Sequence, residues 1–261
     1  MTEMLHSLGN FMSLRWLSLE WLDWPSAKRP TTAAVDLYLG MLATAAPRLT
    51  LLAIVLVDGI TSAGLASLAP LTMLENLRIT DFRVISERGP ANGALTEGLV
   101  SLLPRLTALQ YLGVHSGYFN ADALRALYAA RALDSLRSLD FRDCPEGVDD
   151  ACLVVIARLA LLQELRVARC GRITDAGLQV LAPLGALQEL GLSGLPLITD
   201  NGLIALAPLT ALLYVNVCSC DGITQECHDN IRNERPGLLL NCSCCRGDRR
   251  GGRLVPASYQ K

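Results

Sequence analysis

The chain is 261 residues long, with 51% apolar but only 5% aromatic residues and a net charge of −2. That composition is too apolar for a disordered chain and lacks the basic excess of a dedicated nucleic-acid binder. No run reaches the roughly 18 uncharged apolar residues of a membrane span, so neither nucleic acid nor membrane is expected as a partner.

Self-similarity organises the sequence. A frame L-x-x-L-x-L, with Ile, Val or Phe allowed, begins at Leu14, Leu52, Leu74, Leu109, Leu136, Leu162, Leu187 and Leu212. Successive starts lie 38, 22, 35, 27, 26, 25 and 25 residues apart. The regular spacings fall within the 20–29 residues or so of a leucine-rich repeat.

In chain order, Leu14 opens the first predicted strand. The segment leading into it, Leu8 to Leu14, aligns with the helix-to-strand junction Leu181-Ala-Pro-Leu184-Gly-Ala-Leu187. The sequence thus enters partway through a repeat. Such an edge exposes core residues unless a partner or upstream sequence covers it. Two long spacings carry insertions. The first, 20–48, holds Trp21, Trp24, Pro25 and Pro30 and then an apolar stretch, 33–46, that reads as a helix. The second, 81–93, is a polar loop between a strand and a helix. Beyond Thr224 a last helix is predicted over 225–235, stopped by Pro236, with a terminal strand at 238–242. The expected organisation is one repeat domain over 1–245, of about eight repeats, and a basic, Gly-rich, disordered tail over 246–261.

A single unit explains the period. In Glu164-Leu165-Arg166-Val167-Ala168 apolar residues alternate with exposed ones, as in a half-buried strand. After Cys170 the spacing becomes helical through Ile173, Leu178 and Leu181. Thr174 stands where an N-cap belongs, and Asp175 is favourably placed at the positive helix end. Ala182-Pro183 stops the helix, because proline disfavours helical geometry in the residue before it. One strand and one helix cannot bury their apolar faces alone, so the coils must stack. The predicted fold is α/β: a curved leucine-rich-repeat solenoid with parallel strands on the concave face and helices on the convex face. A doubly wound α/β domain also alternates strands and helices, but its units are longer and lack the fixed strand frame.

The pattern L-x-x-L-x-L-x-x-C-x-x-I-T-D-x-G-L, clearest from Leu136 to Thr224, resembles the cysteine-containing repeats of F-box/leucine-rich-repeat proteins. These are the substrate receptors of SCF-type ubiquitin ligases. The match is degenerate from Leu14 to Leu133, and no segment before Leu14 reads as an F-box. What the resemblance implies is therefore recognition rather than adaptor binding.

Alternation assigns a candidate protein-binding face, since residues flanking the inward leucines must line the concave wall. Its members are Trp16, Ser18 and Glu20; Asn76, Arg78 and Thr80; Tyr111, Gly113 and His115; Ser138, Asp140 and Arg142; Glu164, Arg166 and Ala168; Glu189, Gly191 and Ser193; and Tyr214, Asn216 and Cys218. The row mixes aromatics with charges of both signs, and interfaces favour Tyr, Trp and Arg as anchors.

Nothing in the sequence reads as catalytic. The three histidines, His6, His115 and His228, sit in no nucleophile motif, and no G-x-S-x-G, H-E-x-x-H or phosphate-binding loop occurs. Cys227 and His228 are adjacent on a predicted helix, where neighbours point apart. Cys144, Cys170 and Cys220 each follow the last apolar strand position by three residues, the Asn/Cys site of the repeat, and are assigned to packing. Cys218, Cys227, His228, Cys242, Cys244 and Cys245 cluster in sequence but lack paired C-x-x-C knuckles, so no metal or other cofactor is expected. With no basic segment ahead of the first apolar residues and nine unevenly spaced cysteines, mostly reduced thiols in a cytoplasmic or nuclear setting are expected. The expected function is non-enzymatic binding of another protein through the concave face; the alternative is a structural subunit of a larger assembly.

Overall fold

The computed structural model describes residues 12–20, 31–56, 60–81, 93–115 and 119–242. Residues 21–30 and 82–92, within the expected insertions, and the expected tail lie outside this set. Nine strands are described: β1 (Trp16–Glu20), β2 (Leu51–Leu56), β3 (Asn76–Asp81), β4 (Tyr111–His115), β5 (Ser138–Arg142), β6 (Glu164–Arg166), β7 (Glu189–Gly191), β8 (Tyr214–Asn216) and β9 (Leu239–Asn241). They pair in chain order into one parallel sheet. A helix separates each strand from the next: α1 (Thr32–Ala45), α2 (Ser62–Ala66), α3 (Ala94–Leu102), α4 (Ala121–Ala129), α5 (Asp150–Ile156), α6 (Asp175–Gln179), α7 (Asp200–Ile204) and α8 (Gln225–Glu234). A parallel sheet without crossing connections, each strand followed by one helix, is the stacked coil that the repeat predicts.

Register holds the core together. Leu17, Leu52, Leu77, Leu112, Leu139, Leu165, Leu190, Val215 and Leu240 form one row across the sheet. From Leu52 to Leu190 every member is fully buried. Burying one such leucine contributes about 2 kcal/mol.

That row also corrects one start of the frame. Leu52 is the second leucine of its repeat, aligned with Leu17 and Leu77, so the frame begins at Leu49. Both settings satisfy the apolar pattern. Only the structural one turns Leu52 and Ile54 into the core and leaves Ala53 and Val55 half-buried on the other face. A shift of one position in a strand reverses its faces, and a shift of three does the same.

The outer wall has its own lock. Thr174, Thr199 and Thr224 cap α6, α7 and α8 by accepting a hydrogen bond from a backbone N–H in the first turn. The aspartate that opens each preceding helix accepts both the backbone N–H and the hydroxyl of the next threonine. Asp150 takes Thr174 at 2.9 and 2.7 Å, Asp175 takes Thr199 at 2.7 and 2.6 Å, and Asp200 takes Thr224 at 2.8 and 2.7 Å. Asp36 does the same for Thr61. The glycine of the T-D-x-G motif follows from this, because a Cβ at Gly177 or Gly202 would collide with Asp150 or Asp175.

The cysteines of the motif close the other end of each coil. Cys144 points its thiol at the carbonyl of Val114 (3.6 Å), Cys170 at Phe141 (3.8 Å) and Cys220 at Leu192 (3.0 Å). In each case the acceptor belongs to the preceding coil.

Candidate functional site

On the face opposite the leucines, three rows cross the strands. The middle row runs Ser18, Ala53, Arg78, Gly113, Asp140, Arg166, Gly191, Asn216 and Asn241. It is flanked on one side by Trp16, Leu51, Asn76, Tyr111, Ser138, Glu164, Glu189, Tyr214 and Leu239. On the other side lie Glu20, Val55, Thr80, His115 and Arg142. The strand register thus sets eighteen of the twenty-one candidate residues on one face; Ala168, Ser193 and Cys218 lie just beyond β6, β7 and β8. The side chain of Glu20 lies outside the described set.

A linked polar network spans β3 to β5. The Arg78 guanidinium sits 5.4 Å from the Tyr111 ring centroid and donates from Nε and Nη2 to the Tyr111 hydroxyl at 3.2 and 3.0 Å. That hydroxyl donates onward to Asp140 Oδ2 at 3.3 Å. Arg142, two residues along the same strand and so on the same face, grips both Asp140 oxygens at 2.8 and 2.7 Å. His115 lies between Thr80 Oγ1 at 3.3 Å and Asp140 Oδ2 at 3.4 Å. The second contact lacks hydrogen-bond geometry and pairs charges only when the imidazole is protonated. Gly113 makes the arrangement possible. A Cβ there would stand 2.8 Å from the Tyr111 hydroxyl and 3.3 Å from Arg78 Cγ, so its absence lets the tyrosine lie across the sheet.

Asp140 is 0% exposed. Burial pushes its carboxyl up, but His115 and the Arg142 fork outweigh that and hold it down at about 2. The Tyr111 hydroxyl is pushed up, first by burial and then by the Asp140 charge, with Arg78 opposing.

A second cluster spans β5 to β7. Arg166 reaches Glu164 Oε2 and Glu189 Oε2, both at 3.1 Å, and Ser138 donates to Glu164 at 3.0 Å. Arg166 is 4% exposed, covered by its neighbours on this face rather than turned into the leucine core. Here the structure corrects the reading of Arg166 as an exposed strand residue. Asp140, Arg166 and Tyr214 face the concave side but are buried, because long side chains from adjacent coils lie over them. Tyr214 accepts from Asn241 at 3.2 Å, and the Asn216 amide oxygen accepts from the Cys218 backbone at 3.1 Å. Asn76 is half-buried between Leu51 and Tyr111 in register. Trp16 is 67% exposed, and beside it stands Leu51, exposed and missed from sequence because of the frame slip at Leu52.

The thiols of Cys152, Cys170, Cys220 and Cys227 are unsuited to nucleophilic work. Burial pushes Cys152 up to about 12 and Cys227 up to about 11, and hydrogen bonding with Cys144 together with burial raises Cys170. Among the described residues no group of three or more His, Cys, Asp or Glu is placed to hold a metal ion; Cys244 and Cys245 lie outside them. Among the same residues no helix is long and apolar enough to cross a membrane.

No protein-family model and no curated protein matches the chain. Among solved structures it is similar to internalin C2 from Listeria monocytogenes str. 4b F2365, with 17% sequence identity and a TM-score of 0.52. The likeness covers 87% of this chain and 80% of that one. With nine parallel strands in one open sheet, it defines the fold as an α/β leucine-rich-repeat solenoid.

Proposed function

We propose that this chain is a non-enzymatic recognition module that binds a protein on its concave face. The observation that carries the reading is the network from Arg78 through Tyr111 to Asp140. Three strands hold an arginine, a tyrosine and a carboxylate in fixed positions on an open wall, and rigid Tyr and Arg anchors dominate binding energy in protein interfaces. Trp16 and Leu51 add an exposed apolar patch at one end of the same wall. The resemblance of the C-terminal repeats to those of F-box/leucine-rich-repeat proteins makes substrate recognition in an SCF-type ubiquitin-ligase pathway the specific form of this proposal. That form of the proposal implies a cytoplasmic or nuclear setting.

Site-specific photo-crosslinking in the source cell tests the reading. A photoreactive residue at Trp16 or Leu51 is expected to capture a discrete protein, whereas one at Leu37 or Ile204, exposed on the helical side, is not. Capture from the helical side alone overturns concave-face binding and favours the assembly-subunit reading. Co-purification of the captured protein with a cullin–RING adaptor separates the ligase form from binding in general.

A further inference from the structure

The charges on the concave face are sorted by strand, and this describes the partner. On β3 to β5, Arg78 and Arg142 oppose one carboxylate, Asp140, leaving one net positive charge. On β6 and β7, Glu164 and Glu189 oppose one cation, Arg166, leaving one net negative charge. The two ends also differ in what they present. At the first, Asp140 is fully buried and Arg142 is committed to it through two hydrogen bonds. Arg78 is held by a neutral tyrosine, with no carboxylate partner among the described residues. At the second, the arginine is covered while the Glu164 and Glu189 side chains stay 30% and 19% exposed. A cation is therefore displayed at one end and carboxylates at the other.

Distance follows from the register. Arg78 leans onto β4 through Tyr111, and Glu164 and Glu189 rise from β6 and β7. Two to three strand spacings amount to about 10–14 Å, or three to four residues of extended chain.

We propose that the concave face takes an extended polypeptide segment bearing an acidic side chain and, three or four residues away, a basic one. The acid pairs with Arg78 and the base with Glu164 and Glu189. This rests on the concave-face reading above and adds the chemistry of the partner to it. Mixed-sign complementarity fixes register and rejects segments of uniform charge, since like charges brought together are penalised.

The test is selection of a random 12-residue peptide display library on the full chain, repeated on Arg78→Gln and on Glu189→Gln. Peptides selected on the parent are expected to share an acidic and a basic residue at that spacing. Arg78→Gln is expected to weaken them at least fivefold and to erase the acidic preference while keeping the basic one; Glu189→Gln does the reverse. Circular dichroism of each variant confirms that the fold is kept. Selected peptides that depend on Trp16 and Leu51 but show no charge pair overturn this inference and leave concave-face binding standing. Peptides indifferent to every concave substitution overturn both. Failure to enrich any peptide family overturns the extended-segment inference.

Discussion

Asp140 has no contact with solvent yet stays ionised, because its contacts with His115 and the Arg142 guanidinium outweigh the cost of burial. The consequence is a defined acid sensitivity. Its folded-state pKa of about 2 lies below the ordinary 3.8. The stabilisation is therefore complete above about pH 4 and lost as pH falls toward 2, about 2 kcal/mol in all. Asp140→Asn is expected to destabilise the protein by about 3 kcal/mol at neutral pH, since it leaves Arg142 without a counter-charge. It should also flatten the stability profile between pH 4 and 2, as urea titration across that range will show; an unchanged profile would deny Asp140 this role. Gly113 is the matching case of a missing atom. Gly113→Ala should cost about 1–3 kcal/mol by crowding Tyr111, and most of that cost should vanish when Tyr111 is alanine too. Thermal denaturation of the four proteins in that cycle measures the coupling.

At the scale of the element, much was legible in sequence. The leucine frame placed the strands, and the T-D pair marked where α6 and α7 begin, because alternation and capping are local chemistry. Less legible was anything that depends on the next coil. Asp175 reads as a helix-dipole residue, and its two hydrogen bonds from Thr199 come from 24 residues away. Asp140 and Arg166 read as exposed, since alternation tells which side a residue faces but not what lies over it. The slip at Leu52 has a related cause: LLAIVLV satisfies the frame in more than one setting, and only pairing with β1 and β3 chooses. Asp175→Ala should destabilise by about 1–3 kcal/mol, because a backbone N–H and a hydroxyl lose their acceptor. The loss should appear in hydrogen exchange at the amide of Thr199, in the neighbouring coil, and exchange confined to α6 would contradict the interlock.

For the whole molecule, stability is a chain of nearest-neighbour contacts. Leu165 is packed between Leu139 and Leu190 in register, so Leu165→Ala is expected to cost roughly 2–5 kcal/mol. Solenoid cooperativity should spread the damage to both flanking coils in hydrogen exchange. A loss limited to residues around 165 would mean the coils fold independently.

The aspartate–threonine ties of the outer wall join the first coil to the second, and the fifth through the eighth to one another. Between them Ser62, Ala94 and Ala121 stand at the helix starts that Asp150, Asp175 and Asp200 occupy in later coils. Over that stretch the inner wall supplies the join instead: β2 to β5 pair over five or six residues, against three beyond β5, so Arg78, Tyr111 and Asp140 stand on more extensively paired strands than any later in the sheet.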